Sequence, residues 1–272
     1  MNRIIALVLI TICISCEKED INEIPSYMTI EEIILNDNST HKITDAWVYI
    51  DDNLQGVYEL PANFPILEEG IHKLRIKAGI KDNGIGGNRI PYPFYSSYIK
   101  EEQAFNSETT TSITPTVSYL ESTILDDNSE DFDGNGLNLE TDSITFSIEN
   151  TNPLNGNYGV ITLSDSMWFS EVTTKEITNL PQEGAPVYLE LDYKSNTQFL
   201  IGVYINFPQS VVLQKDLIWI NPKENWNKIY INLTSTISEA IGVDFFKIFI
   251  AMQRDSTLNN NTVYLDNLRV VY

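Results

Sequence analysis

The chain contains very few cysteine and histidine residues. Its 272 residues include two cysteines, Cys13 and Cys16, and two histidines, His41 and His72. Both cysteines precede residue 17, so the rest of the chain has no thiol for a disulfide, a Cys-based metal site or a nucleophile. No set of His, Asp and Glu residues has the spacing of a transition-metal site. These absences exclude disulfide and zinc frameworks, and neither histidine lies near a serine motif suited to nucleophilic catalysis.

Basic residues are also scarce. The chain has 17 Lys and Arg against 38 Asp and Glu, and its formal net charge is −21 at pH 7. A field of this sign repels phosphate groups, and no basic cluster offsets it. We therefore expect no nucleic-acid partner.

The apolar run at the N-terminus is too short for a permanent membrane span. It extends from Ile4 to Ile14, follows Arg3 and ends at Ser15. A membrane-spanning helix needs about 20 apolar residues. A positive start, a short apolar core and a small residue before a cut predict a secretory signal peptide over residues 1–15.

The residues around Cys16 carry a more specific signal. Cys13-Ile14-Ser15-Cys16 resembles the bacterial lipobox, usually Leu-x-Gly/Ala/Ser-Cys, with Cys13 at the Leu position. The following Glu17-Lys18-Glu19-Asp20 resembles the export signal of Bacteroidota surface lipoproteins. The resemblance implies lipidation of Cys16, an anchor in the outer membrane and exposure at the cell surface.

The remainder of the chain predicts an all-β protein. Short β-type runs alternate with Asn, Asp, Gly and Pro, and the only short helix candidate is Ser235–Ile241. We expect a lipidated tether at 16–26, a β-sandwich domain at 27–120, an acidic segment at 121–142 and a second β-sandwich domain at 143–272. The predicted strands are Met28–Leu35, Lys42–Ile50, Leu54–Leu60, Ile71–Ala78, Ser112–Tyr119, Ile144–Glu149, Tyr158–Leu163, Val187–Tyr193, Phe199–Phe207, Lys228–Leu233, Phe245–Gln253 and Val263–Val271.

Part of the first predicted domain resembles a PEGA-like or Ig-like module. The strand Ala46–Ile50, the turn Asp51-Asp52-Asn53 and the string Gly70-Ile71-His72 carry the resemblance. Asp and Asn tolerate a tight hairpin, and Gly70 can adopt positive φ. Such modules are small β-sandwiches that display or interact, and His72 has a structural role in this interpretation.

The second predicted domain resembles a carbohydrate-binding, galactose-binding-like jelly roll. Trp226-Asn227-Lys228-Ile229-Tyr230-Ile231-Asn232-Leu233 and the closing Tyr264-Leu265-Asp266-Asn267-Leu268 carry the resemblance. It implies a jelly-roll fold for residues 143–272. It also implies that Asp266 of the last strand helps to bind a structural calcium ion.

The acidic segment contains a second calcium candidate. Asp131, Asp133, Asn135 and Asp142 occupy positions 1, 3, 5 and 12 of a loop whose sixth residue is Gly136. The flanking residues look like strands, so a helical EF-hand is not expected. Two interpretations stay open, a solvated acidic linker and a non-helical calcium loop. We expect no required cofactor.

Alternation within the strands separates two faces of the second domain. Leu189 and Leu191 alternate with Glu190 and Asp192, and similar polar or aromatic sets occur on two other strands. Aromatic rings and planar polar groups suit sugar recognition, although any exposed sheet face is also polar at every second residue. The predicted glycan-binding residues are Glu190, Asp192, Tyr204, Asn206 and Phe249.

One string resembles a catalytic motif. Glu190-Leu191-Asp192 is similar to the start of the Glu-x-Asp-x-x-Glu core of certain jelly-roll glycosidases. The third acidic residue is absent, since Lys194 and Ser195 follow. We therefore predict that the protein is not an enzyme.

Two functions remain open for such a chain. In the first, the jelly roll binds glycans. In the second, the chain is an accessory subunit of an outer-membrane machine and contacts a β-barrel protein. The aromatic loop Pro91–Tyr98 and the edges of the sandwiches are then the expected contacts, unless the loop packs back on its own sandwich.

Overall fold

The computed structural model describes residues 24–37, 39–141, 144–164 and 166–272, and these residues are predominantly β. The single α-helix among them, α1, is Thr234–Glu239, close to the predicted Ser235–Ile241. Within these ranges no helix is long and apolar enough to cross a membrane. The predicted signal peptide and Cys16 lie outside the described residues.

Residues 26–37 and 39–119 form the N-terminal β-unit, with Tyr119 joined to it by a bridge to Tyr95. One sheet has the order β4-β3-β6-β7, with β8 also paired to β6; the other strands form a three-stranded sheet β5-β1-β9 and a two-stranded sheet β10-β2. Side chains such as Met28, Val48 and Ile76 form one hydrophobic core between them. The strands are β1 (Ser26–Ile30), β2 (Ile34–Leu35), β3 (Asp45–Ile50), β4 (Asn53–Glu59), β5 (Ala62–Ile66), β6 (Gly70–Lys81), β7 (Arg89–Pro91), β8 (Ser97–Phe105), β9 (Thr110–Ser112) and β10 (Thr116–Val117).

The hairpin between β3 and β4 confirms the expected turn chemistry. Asp51 and Asp52 occupy its two central positions with φ of 47° and 64°, the left-handed values that such a turn requires. Gly70 begins β6 with φ of 106°, which costs glycine little because it has no Cβ. Nδ1 of His72 lies 2.6 Å from Oδ2 of Asp51. His72 therefore supports this corner of the sheet.

Residues 139–271 form the C-terminal β-sandwich. Its two five-stranded antiparallel sheets have the orders β11-β14-β19-β16-β17 and β12-β13-β20-β15-β18. Apart from the directly paired neighbours β12–β13 and β16–β17, successive strands alternate between the sheets, as in a jelly roll. The strands are β11 (Leu139–Glu140), β12 (Phe146–Glu149), β13 (Tyr158–Leu163), β14 (Phe169–Thr174), β15 (Tyr188–Ser195), β16 (Phe199–Phe207), β17 (Val211–Ile220), β18 (Lys223–Asn232), β19 (Phe245–Gln253) and β20 (Asn261–Val271).

The inner faces of these two sheets form a second hydrophobic core. It includes Leu189 and Leu191 of β15, Ile201 and Val203 of β16 and Ile248 of β19. The alternation predicted from the sequence is confirmed for these strands. Each sheet therefore also has an outer face, and the two outer faces have different surroundings.

Part of the acidic segment runs along the last strand. Glu130 is 3% exposed, and its carboxylate accepts a hydrogen bond from the N–H of Phe132 at 2.7 Å. Backbone N–H groups of this segment donate to carbonyl groups near the end of β20 over 2.6–2.9 Å: Ile124 to Tyr272, Asp126 to Val270 and Glu130 to Leu268. Residues 124–130 are thus packed on the C-terminal β-sandwich.

Candidate functional site

The five residues predicted to share a glycan-binding face lie on two different sheets. Glu190 and Asp192 belong to β15, whereas Tyr204 and Asn206 belong to β16 and Phe249 to β19. Strand β15 is in the sheet β12-β13-β20-β15-β18, and β16 and β19 are in the opposite sheet. The prediction of a single face is therefore corrected, because alternation cannot show which strands share a sheet.

The part of the β15 sheet's outer face that carries Glu190 and Asp192 is covered by the N-terminal β-unit. Glu190 is fully buried and Asp192 is 2% exposed. Tyr188, Tyr230 and Val271, from the same face, pack into the hydrophobic core of the N-terminal β-unit. A sugar has no access to Glu190 or Asp192 in this arrangement.

A network of ion pairs and hydrogen bonds surrounds Glu190. Nε and Nη2 of Arg269 donate to its Oε2 at 3.0 and 2.8 Å, and Nζ of Lys228 lies 3.2 Å away. The hydroxyls of Tyr92 and Tyr119 donate to Oε1 at 2.7 and 2.8 Å. Burial disfavours the charged carboxylate, but Lys228, Arg269 and the two hydroxyls together lower the pKa of Glu190. The catalytic-looking string is therefore part of an interface between the two β-units.

The aromatic loop Pro91–Tyr98 contributes to the same interface. Tyr92, Phe94 and Tyr95 are 2%, 5% and 7% exposed. The ring of Tyr92 meets that of Tyr188 edge-on, with 5.4 Å between centroids. The loop packs inward, as one of the two interpretations expected, and the prediction that it is an exposed contact for a partner is wrong.

The outer face of the β16 sheet has an apolar floor of its own. Leu200, Phe249 and Ala251 form a buried cluster separate from the main core, with Tyr204 packed against it. The rings of Tyr204 and Phe249 are 4.8 Å apart. A Cβ at Gly202 would lie 2.1 Å from Cζ of Phe249, so only glycine lets this ring lie flat across β16.

Two exposed aromatic rings stand on opposite sides of this floor. Strand pairing places four residues side by side, one on each of four neighbouring strands: Glu171, Ala251, Leu200 and Trp219. Strands are about 4.8 Å apart, so this row spans about 14 Å. Trp219 is 53% exposed, and Phe169, paired with Gln253 beyond the row, is 58% exposed. We call this outer face the platform; its residues are Phe169, Glu171, Leu200, Gly202, Tyr204, Asn206, Asp216, Trp219, Phe249, Ala251 and Gln253.

Polar groups lie on the same face as the two rings. The hydroxyl of Tyr204 donates to both carboxylate oxygens of Glu171, at 3.0 and 3.1 Å. Burial raises the pKa of Glu171, and burial together with this contact raises the pKa of Tyr204 to about 12. Nδ2 of Asn206 donates to the carbonyl of Tyr204 at 3.3 Å, and Asp216 is exposed. The platform therefore presents hydrogen-bonding groups beside apolar surface.

Sequence reasoning found part of the platform and missed the rest. The structure brings Tyr204, Asn206 and Phe249 together on it, whereas Phe169 and Trp219 were not among the predicted residues. A signal for Trp219 exists, because it lies in a segment rich in β-branched and other apolar residues, Val211–Ile220, that was not assigned as a strand.

The predicted calcium ligands are only partly brought together. Asp131, Asp133 and Asn135 are exposed, and Asp142 lies outside the described residues. Asp266 is 1% exposed, and its Oδ2 has no hydrogen-bond partner among the described residues. Burial, with neighbouring carboxylates, raises the pKa of Asp266 to about 7.

The donor set around Asp266 suits a calcium ion only in part. The unpartnered Oδ2 suits a metal ligand, since calcium prefers carboxylate oxygens. In the described part of the chain, no group of three or more His, Cys, Asp or Glu side chains is placed to hold a metal ion. Oδ1 of Asp133 already accepts two hydrogen bonds from Asn157, both at 2.8 Å. Asp266 alone thus has the environment expected of a ligand.

Comparison with known proteins returns carbohydrate-binding modules. No protein-family model and no curated protein matches the chain. Among solved structures, a study of carbohydrate-binding modules from the β-sandwich superfamily matches at 14% identity, covering 90% of this chain and 98% of the other, with a TM-score of 0.40. The family 11 module from Clostridium thermocellum, solved with a β-1,3-1,4-mixed-linked tetrasaccharide, matches at 14% identity over 54% of this chain and 94% of its own, with a TM-score of 0.39.

A third match is the CBM22-2 xylan-binding domain from Paenibacillus barcinonensis Xyn10C. It is 15% identical over 52% of this chain and 96% of its own, with a TM-score of 0.39. TM-scores at this level carry no argument about binding.

Proposed function

We propose that the chain is a non-catalytic glycan-binding protein whose binding surface is the platform. The observation that carries the proposal is the pair of exposed rings, Phe169 and Trp219, on opposite sides of an apolar floor. Contact between an apolar ring and water is unfavourable, so a ligand that covers an exposed aromatic ring gains binding free energy. A sugar ring offers the apolar face that stacks on such a ring.

The polar groups of the platform suit sugar hydroxyls. Glu171 and Asp216 are acceptors, and Gln253 is both donor and acceptor. Oriented polar groups on a mostly apolar surface are the usual composition of a small-molecule site. An open, shallow face about 14 Å wide accommodates a chain of sugars rather than enclosing one.

The absence of catalysis is part of the same proposal. Glu190 and Asp192, the pair that resembles a glycosidase motif, are buried at the interface between the β-units. A glycosidase needs two carboxylates flanking an accessible bond. On the platform, Glu171 is held by the hydroxyl of Tyr204, which favours a role in binding.

The location is proposed from the sequence. The signal-like residues 1–15, the near-lipobox ending in Cys16 and the charged Glu17–Asp20 support a lipid anchor in the outer membrane, with the protein facing outward. Cys16→Ala is expected to shift the protein from the membrane to the soluble fraction. A Cys16→Ala protein that still sediments with outer membranes contradicts the anchor.

The alternative, an accessory subunit of an outer-membrane complex, has lost one of its two proposed contacts and keeps the other, the sandwich edges. Tyr92, Phe94 and Tyr95 of the loop assigned to the lost contact are buried within the chain itself. Purification from mild detergent tests this alternative directly. If a β-barrel protein is recovered in stoichiometric amount and the chain binds no glycan on an array, the subunit role replaces glycan binding as the proposed function.

The ligand can be identified by measuring the retention of the full chain on immobilised polysaccharides. We expect retention on at least one polysaccharide, and loss of retention on substituting Phe169 with Ala. Tyr27→Ala, which removes an exposed aromatic ring from the N-terminal β-unit, is the matched control and should be retained like the wild type. If the Phe169→Ala variant is retained like the wild type, the binding surface is not the platform.

A further inference from the structure

A cleft of about 410 Å³ lies beside the platform, at the junction of the two β-units. The N-terminal β-unit contributes Lys42 and Lys81, and the C-terminal β-sandwich contributes Lys223 and Trp219. Backbone contacts hold the junction together: Asn83 N–H donates to the carbonyl of Tyr230 at 2.9 Å. The cleft is therefore a built feature of the paired units.

The charge of this cleft is unusual for the chain. The protein carries 38 acidic and only 17 basic residues, yet four lysines, Lys42, Lys81, Lys223 and Lys228, line one cavity. Lys228 is paired with Glu190 and Asp192. Lys81 pairs with Glu59 at 3.3 Å, whereas no ion pair with a described residue is found for Lys42 or Lys223. Nζ of Lys42 contacts the neutral Oδ1 of Asn227. Lys42 and Lys223 thus line the cleft with no carboxylate of a described residue as an ion-pair partner.

The lysines also act on one another. Burial lowers the pKa of Lys42, and the positive charges of Lys223 and Lys81 lower it further. Bringing like charges together costs free energy, which a bound anion offsets. Screening limits the opposing field of the distant acidic residues, since the Debye length is about 8 Å at physiological ionic strength. An anion in the cleft therefore meets mainly the lysines.

The cleft is continuous with the platform through Trp219. Its ring shares the outer face with Leu200, its register partner, and the same residue lines the lysine cleft. Strand β17, which carries Trp219, is the edge strand of its sheet. A sugar chain that stacks on Trp219 and crosses this edge reaches Lys42 and Lys223.

We propose that the lysine cleft binds the negative group of an acidic sugar, a uronate carboxylate or a sulfate ester, so that the glycan bound by the platform is an acidic polysaccharide. This inference rests on the proposed glycan binding. Lys42 and Lys223 supply charge-assisted hydrogen bonds to the anion, which are stronger than neutral ones. The platform supplies the stacking and the contacts to hydroxyl groups.

Matched pairs of oligosaccharides test the inference by titration calorimetry on the full chain. One member of each pair is acidic and the other is its neutral counterpart: oligogalacturonate with its methyl ester, and a sulfated galactan oligosaccharide with its desulfated form. We expect the acidic member of at least one pair to bind about tenfold more tightly, as two charge-assisted contacts allow.

Substitutions then assign the preference to the cleft. Lys42→Gln with Lys223→Gln should remove the preference and leave binding of the neutral member unchanged. Lys42→Arg with Lys223→Arg should retain it, and Lys100→Gln, at an exposed lysine on β8, serves as the control. The thermal midpoints of the variants show that each is folded.

The outcomes separate this inference from the proposed function. Binding of neutral oligosaccharides that depends on Phe169, with no preference for acidic members, overturns the acidic-glycan inference and leaves the proposed function standing. An acidic preference that survives the double Gln substitution also overturns it. Binding of no oligosaccharide of either kind counts against both.

Discussion

The guanidinium of Arg269 donates two hydrogen bonds to a single carboxylate oxygen of Glu190, from Nε at 3.0 Å and from Nη2 at 2.8 Å. The two residues lie on the adjacent strands β20 and β15. Hydroxyls of Tyr92 and Tyr119, from the other β-unit, donate to the second oxygen. A buried charge is thus satisfied from both sides of the interface, which fixes how the two units pack on each other.

Replacing Glu190 with Gln should strongly destabilise the protein. The substitution leaves Arg269 and Lys228 buried with less compensating charge, and breaking a buried pair in this way costs about 3 kcal/mol. Urea denaturation measures the change in free energy of unfolding. Glu224→Gln, at an exposed position on β18, should change it by no more than about 0.5 kcal/mol. Equal stability of the two variants would show that the network contributes little.

The same carboxylate predicts a pH dependence of stability. The pKa of Glu190 is lowered in the folded state relative to its ordinary value of 4.5. Its charged form therefore stabilises the fold above pH 4.5, and this contribution is lost as the pH falls below 4.5 through the folded pKa. The stability difference between the wild type and Glu190→Gln should shrink over that interval. A difference that stays constant down to pH 3 would contradict the assignment.

Gly202→Ala should disrupt the platform. The new Cβ would lie 2.1 Å from Phe249 and 2.6 Å from the carbonyl oxygen of Lys215, so the ring and β17 must shift. Overpacking of this kind costs about 1–3 kcal/mol. Gly87→Ala, where a Cβ meets nothing within 4 Å, is the control. If Gly202→Ala has the control's thermal midpoint and binds glycan normally, the close packing of Phe249 on β16 is unimportant.

We propose that Asp266 is a ligand of a structural calcium ion, because its buried Oδ2 has no other partner among the described residues. A ligand that binds only the folded state raises the unfolding midpoint. Calcium added over chelator should therefore raise the thermal midpoint of the wild type and leave that of Asp266→Asn unchanged. An equal response of the two proteins, including no response in either, rules Asp266 out as a ligand.

The sequence predicted those strands whose alternation is regular. Tyr158–Leu163, Phe199–Phe207 and Phe245–Gln253 were predicted with the bounds that the structure has. Two strands on which the platform depends were missed. Strand β14, Phe169–Thr174, is short and half polar, and β17, Val211–Ile220, is an exposed edge strand with a bulge opposite β16. Local pattern is weak where a strand buries few of its residues or where the register shifts.

The candidate site was less predictable than the fold. Alternation correctly placed Glu190 and Asp192 opposite Leu189 and Leu191, but it does not show what covers a polar face. Here the cover is the other β-unit, whose residues Tyr92 and Tyr119 are distant in sequence. Which strands share a sheet, and which face stays open, follow from topology and docking.

The central claim is tested most directly by titration calorimetry with an oligosaccharide of the polysaccharide that retains the protein. Loss of one stacking ring typically removes about 1 kcal/mol or more of binding free energy. Trp219→Ala and Phe169→Ala should therefore each weaken binding at least about fivefold, while Tyr27→Ala leaves it unchanged. Wild-type affinity in both platform variants would contradict the account.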